Sequence, residues 1–261
     1  MDRYLRIYKA FWKSSLAREL EFRANFLAKI AQNVVWTGFF LVMLLVIFSK
    51  TNTIAGWSRG DSFLLAGTIF VLDAIFRGLF WSLIEIPELV RKGTLDFVVT
   101  KPVDSQFWVS TRKIGFEQLG IILAGCALVV VGCVQSQIHP SAVDVLAYLV
   151  AGAFSMAMFY AFNLLLMTLA IWFVRVDNLW VLSDTITHVA RYPTDMYSIG
   201  VQKVFLYALP LSLIASVPAN MLRQGASWQL LVLGLVWAIV LMVAARWLWR
   251  FALKSYGSAS S

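Results

Sequence analysis

Phe26 to Phe48 is an unbroken apolar run whose one charge, Lys29, stands near its start, and comparable runs recur down the chain. A helix rising ~1.5 Å per residue crosses a hydrocarbon core of ~30 Å in about twenty residues, so such a run is long enough to span a bilayer. With 60% hydrophobic residues, 14% charged residues and a mean hydropathy of +0.76, the chain is excluded from the ordinary soluble domains. The fold class this defines is all-α, a polytopic membrane protein.

The pattern predicts six transmembrane helices, over 26–48, 62–86, 115–134, 145–174, 178–195 and 228–249, within a single transmembrane domain over 1–261. An interfacial helix over 1–25 precedes them. In it Tyr4, Ile7, Tyr8, Phe11, Trp12 and Leu16 share one helical face while Arg3, Arg6, Lys9 and Lys13 share another. The aromatic residues suit the headgroup boundary and the cations suit anionic membrane lipid. No signal-peptide profile precedes the first span, so that span is expected to stay attached. The segment Ser105 to Gln118 is expected to enter the third span and extend it at its inner end.

The net charge of +8 is distributed as the positive-inside rule requires. Of the 22 Lys and Arg residues, sixteen fall on one side of the predicted topology, together with both termini, and that side is read as cytoplasmic. Arg175 and Asp177 mark a return to it after the fourth span. No basic stripe is left over for nucleic acid. Cys126 and Cys133, seven apart in one apolar run, read as small hydrophobes and imply neither a disulfide nor a metal site. His139 stands in an external turn without a second ligand at metal spacing.

One charged island interrupts the apolar pattern. Glu85 to Pro102 reads E-I-P-E-L-V-R-K-G-T-L-D-F-V-V-T-K-P. Pro87 suits a helix's first turn, Glu88 the positive end of its dipole, and Pro102 stops it. The prediction is a short amphipathic helix over 87–100 in which Gly93 breaks or tightens the turn. Leu89, Val90, Leu95, Phe97, Val98 and Val99 form its apolar surface, and Glu88, Arg91, Lys92 and Asp96 its polar one. Such a helix serves to dock another protein, or it is a solvated loop between spans.

Polar residues inside the spans are functional candidates, because charge at membrane depth is costly. Asp73 and Arg77, four apart, can pair on one helical face, either to lock a neighbouring helix or to serve a pathway. Asn163 is the most polar side chain of the fourth span. Asp184 and His188 form a second pair four apart. Beyond them Arg191-Tyr192-Pro193 breaks the pattern, and Pro210 and Pro218 interrupt the next apolar stretch. Broken helices at membrane depth need protein or water to satisfy their backbone, so this region is expected to line a cavity. Two topologies compete: Leu179 to Tyr197 as a surface segment with Val204 to Met221 as the fifth span, or Leu179 to Pro193 as the fifth span with 198–222 re-entering from outside as two short helices.

Glu88, Gly93-Thr94-Leu95-Asp96 and Pro102 together resemble the E-x-x-x-G-T-L-[DE]…P signature of ABC type-2 permeases, which lies between their second and third spans. The segments around Tyr192-Pro193, Leu209-Pro210 and Val217 to Arg223 are similar to that family's stretch after the fifth span. The resemblance implies a cytoplasmic coupling helix carried by Glu88, Arg91, Gly93, Thr94, Leu95, Asp96 and Pro102. It implies an external gate of re-entrant helices at Arg191, Tyr192, Pro193, Pro210 and Pro218. It also implies an exporter of a bacterial inner membrane, built as a homodimer or heterodimer of permease chains. The sequence contains no G-x-x-x-x-G-K-[ST] phosphate loop, so ATP and magnesium are expected in separate ABC ATPase subunits, with no cofactor in this chain. An intramembrane enzyme using Asp184 and His188, and a membrane scaffold protein, are the other readings.

Overall fold

The computed structural model describes residues 2–173, 179–190, 192–207 and 210–256; the expectations placed on Arg175, Asp177, Arg191 and Leu209 lie outside them. The chain opens with α1 (Asp2–Glu21) and α2 (Arg23–Phe48). A hairpin of two short strands follows, β1 (Thr53–Ile54) and β2 (Trp57–Ser58), which turns through Ala55 and Gly56 at φ 50° and 80°. Next come α3 (Arg59–Phe80), α4 (Ile86–Arg91), α5 (Asp96–Val99), α6 (Ser105–Thr111), α7 (Leu119–Gln135) and α8 (Ala142–Thr168). The second half adds α9 (Leu179–Ala190), α10 (Ile199–Tyr207), α11 (Ser216–Arg223) and α12 (Trp228–Ser255).

Among the described residues five helical stretches are long and apolar enough to cross a membrane: Arg23–Phe48, Arg59–Arg91, Phe116–Gln135, Ala142–Ile171 and Trp228–Ser255. The second joins α3 to α4 through a 3₁₀ segment, Trp81–Glu85. Leu179–Ala190 is 12 residues long, about 18 Å of helix. Two starts are written in the sequence as reciprocal caps, in which Ser58 and Ser141 each exchange hydrogen bonds with the residue three places on, Asp61 and Asp144.

The third span is shorter at its inner end than the pattern predicts. Ser105–Thr111 is a separate helix, and the chain leaves helical geometry between Arg112 and Gly115, where the Gly115 amide donates to the Gly78 carbonyl at 2.9 Å. The physical reason is charge: Arg112 and Lys113 both turn to Glu85, so this stretch lies across the end of the bundle instead of continuing into it.

The tightest pairing is between α3 and α7, and glycine makes it possible. A Cβ at Gly67 would fall 2.6 Å from the Gly125 carbonyl oxygen, and one at Gly132 would fall 2.6 Å from the Leu64 amide. Gly60 and Gly67 on one helix meet Gly125 and Gly132 on the other, both pairs seven apart, so two backbones approach as only small residues permit. The main core joins α3, the Glu85–Pro102 island, α8, α11 and the end of α12.

Two ends of the bundle are distinct. The island, α1 and the C-terminal end of α12 share one end: Arg3 Nη2 donates to the Pro102 carbonyl at 2.5 Å, and Arg246 pairs with Asp104 at 2.5 Å. The β1–β2 hairpin, the end of α11 and the α7–α8 turn share the other.

Candidate functional site

The island is two short helices rather than one. α4 carries Pro87 in its first turn as the sequence requires, and stops at Lys92. Gly93 then takes φ 66°, a left-handed conformation that costs other residues more, and the chain restarts as α5. Thr94 Oγ1 and the Leu95 amide both return to the Leu89 carbonyl, at 3.4 and 3.1 Å, which fixes the turn. The change of direction also re-sorts the surfaces. Val90, Leu95 and Val98 are buried beneath the island, whereas Phe97 is 71% exposed and Val99 46% exposed. These two, read as one apolar surface with Leu89, Val90, Leu95 and Val98, part from the buried residues and stand outward; Arg91 and the Glu88–Lys92 pair at 2.6 Å are exposed as well. Asp96, expected on the polar surface, lies beside Tyr256, whose phenol is pushed up by burial and by that carboxylate.

Beneath it the island rests on a charged, aromatic bed. Glu85 accepts from Arg112 and Lys113, and the Trp108 ring meets Arg112 at 4.7 Å and Lys101 at 4.6 Å. Asp104 caps α6 through the Phe107 amide and binds Arg246; these donors hold its carboxyl below the ordinary carboxylate range, with Arg246 the larger influence against partial burial. Tyr4 and Phe11 of α1 pack on Phe107, and Trp12 on Phe116, so the aromatic residues assigned to the headgroup boundary also meet protein.

The polar residues of the spans converge on one site. Arg77 Nε donates to both carboxylate oxygens of Asp73, at 2.9 and 3.0 Å, and Nη2 donates to Asp184 Oδ1 at 2.7 Å. His188 Nε2 lies 3.2 Å from Asp184 Oδ2. Next to Asp184 in the chain, Ser183 donates to Asn163 Oδ1 at 2.5 Å, and Asn163 donates to the Phe159 carbonyl at 2.9 Å. Spacing finds the two i, i+4 pairs but not the bridge between them, which joins residues 107 apart. Asp73 stands twelve residues from both Asp61 and Glu85, about 18 Å from each polar end, and therefore at the centre of its span. Arg77 lies one turn nearer the island.

The opposite end carries a cluster that no spacing rule marks. Trp57, fully buried within a hairpin, donates its indole N–H to Asp195 Oδ2 at 2.7 Å. The Arg223 guanidinium lies 4.6 Å from the Trp57 ring and pairs with Asp61 at 3.3 Å. Pro193, buried, precedes a 3₁₀ turn at Thr194–Met196, and Tyr192 beside it is exposed. Pro210 is buried before the turn at Leu213, and Pro218 sits in the first turn of α11, where its missing N–H needs no partner.

An all-helical bundle with several membrane-crossing helices, a charge-bearing interior and an anchored island between its second and third spans defines a membrane transport domain. The chain belongs to the ABC-2 family transporter proteins, whose family model matches residues 34–260. That family points to a transport component rather than an enzyme. No curated protein and no solved structure matches the chain.

Proposed function

We propose that the chain is the permease subunit of an ATP-driven exporter, that it works as a dimer of permease chains, and that separate ABC ATPase subunits dock on the island. The observation that carries this reading is the placement of Phe97 and Val99, outward on a short element whose underside is locked by Leu95 and Val98. Exposed apolar side chains rimmed by charge mark a protein contact. In this reading the docking end is cytoplasmic, both termini included, and the membrane is a bacterial inner membrane. ATP and magnesium belong to the partner.

The close glycine contact makes α3 and α7 one stiff unit, so force applied to the island tilts both together. Asp73, Arg77, Asp184 and His188, with Asn163 behind them, occupy the pathway side of that unit. In this reading 178–195 is the fifth span and 198–222 a re-entrant gate before the sixth: α10 and α11 are each about 12–14 Å long, too short to cross, and both Asp195 and Arg223 lie at the hairpin end. Substrates in this reading are amphipathic or lipid-like molecules, drugs or peptides.

The test is capture of the partner from the island. A photo-crosslinking residue at Phe97 should trap a nucleotide-binding subunit in cells, and the subunit should co-purify with the chain. Absence of any nucleotide-binding protein from both preparations would remove the reading.

A further inference from the structure

We infer that Trp57 and Arg223 form a latch that holds the hairpin end of the bundle shut, and that α3 operates it. The inference rests on the permease reading and deepens it, adding Trp57, Asp61 and the hairpin to the gate segment that reading names. A two-strand hairpin between membrane spans would ordinarily leave its side chains in water. Trp57 is instead fully buried, packed in one cluster with Leu64, Leu65, Ile214, Ala215, Ala219 and Leu222.

Three separate segments hold it. Its indole N–H is taken by Asp195, from the turn before α10. Its ring meets the Arg223 guanidinium, from the end of α11, and Arg223 Nη2 also donates to the Gly56 carbonyl at 2.9 Å. Arg223 Nε pairs with Asp61 Oδ2, in the first turn of α3, and Asp61 Oδ1 accepts from Ser136 Oγ at 2.8 Å, at the end of α7. Each contact uses a different atom of Trp57, Arg223 or Asp61, so all of them are made at once.

The position of Asp61 makes this a device rather than a brace. The same continuous helical stretch, Arg59–Arg91, carries Asp61 in its first turn and enters the island at Glu85, about 36 Å away along twenty-four residues. Through Ser136 and the glycine contact, α7 moves with it. A tilt imposed at the island therefore shifts Asp61 against Arg223, which belongs to α11 and is held by α8 and the hairpin. Breaking that pair frees the guanidinium from the ring, and the turn at Leu213 to Ala215 beneath Trp57 becomes reachable from outside.

A single cysteine at Ser212, which is buried behind the latch, reads its state. The full chain, with Cys126 and Cys133 replaced by Ala, is placed in right-side-out and inverted vesicles and exposed to an impermeant maleimide. With the latch intact, Ser212→Cys should react slowly from either face. Trp57→Ala, Arg223→Ala and the two combined should each raise the rate about tenfold and equally, as expected when either change removes the same desolvated cation–ring contact. Where Trp57→Ala fails to fold, Trp57→Phe keeps a smaller ring for the guanidinium but loses the indole hydrogen bond and should give a smaller rise, and Asp195→Ala, which removes the acceptor of that bond, should raise the rate as well. Unchanged labelling, or rates that multiply in the double variant, would overturn the latch. A rise seen from the opposite face would leave the latch standing and overturn the assigned orientation instead.

Discussion

Arg77 donates to Asp184 at 2.7 Å and so ties the last turn of α3 to α9 through two residues 107 apart in the chain. Because Asp73 holds the other edge of the same guanidinium, the site is a triad with His188 at its rim, not an isolated pair on one helix. The side chains of Asp73, Arg77 and Asp184 retain 15, 23 and 28% exposure, which makes each charge dependent on the others for solvation.

Mutational behaviour should reflect the triad. Arg77→Met leaves two carboxylates facing each other at membrane depth and should destabilise by about 3–5 kcal/mol. Asp73→Leu alone should cost less, since Asp184 still answers the guanidinium. For an isolated pair the combined Asp73→Leu/Arg77→Met change would restore stability; here Asp184 loses its guanidinium and keeps only His188 at 3.2 Å, so rescue should require Asp184→Leu as well. Thermal melts of the detergent-solubilised variants distinguish the two outcomes, and full rescue by the double variant would dissolve the triad.

The α3–α7 contact gives a sharper steric prediction. Gly67→Leu and Gly132→Leu drive a side chain into backbone 2.6 Å away, with no flexible neighbour to yield, and should cost about 3 kcal/mol or prevent folding. Gly38→Leu, whose Cβ would meet nothing within 4 Å, is the matched control and should melt close to wild type. Equal losses at all three positions would deny the close approach.

Much of this architecture is legible from hydropathy alone, because a bilayer imposes one length scale on every crossing helix. The apolar runs of crossing length, Pro87 in a helix's first turn and the turn at Gly93 all follow from local rules. What escapes the sequence is contact between distant segments. The bond from Arg77 to Asp184 and the burial of Trp57 depend on how helices pack, and no periodicity in a short polar loop announces a buried tryptophan. The glycines had a signal, four of them at sevenfold spacing on two runs, that a search for small-residue stripes would find. The outward turn of Phe97 was hidden because Gly93 redirects the chain, and amphipathic sorting assumes one continuous helix.

Acid should release the clamp between α6 and α12. Arg246 and the Phe107 amide depress the Asp104 carboxyl below its ordinary value of about 3.9. A depressed folded value means the stabilisation is complete above that ordinary value and is lost as pH falls through the folded one. Asp104→Asn should therefore melt lower than wild type near neutrality, by about 1 kcal/mol after allowance for its partial exposure, and the gap should close towards pH 3. A gap independent of pH would mean that the carboxylate's charge is not what Arg246 uses.

Coupling at the island should separate from folding. Phe97→Asp alters only an outward side chain and should leave the melting temperature unchanged while abolishing capture of the ATPase subunit. Gly93→Ala forces a left-handed residue and should cost about 1 kcal/mol, with a matching partial loss of substrate-stimulated ATP hydrolysis. Wild-type transport by Phe97→Asp would place the docking surface elsewhere.

The orientation of the broken region can be read by labelling. Asp195 meets Trp57 at the hairpin end, while Asp184, eleven residues earlier, meets Arg77 in the last turn of α3, so Asp195 stands nearer the hairpin than Asp184 does. Were 179–197 a surface segment on the island side, neither contact could form with α3 crossing the bilayer. Ser198 and Met196 are exposed near that upper end. In the cysteine-free background, Ser198→Cys and Met196→Cys should react at once with an impermeant maleimide added outside intact cells. Phe97→Cys should react only after the membrane is opened, because the island lies at the other end of the same helix. Simultaneous protection of all three positions until lysis would put both ends on one face of the membrane, which a crossing α3 forbids.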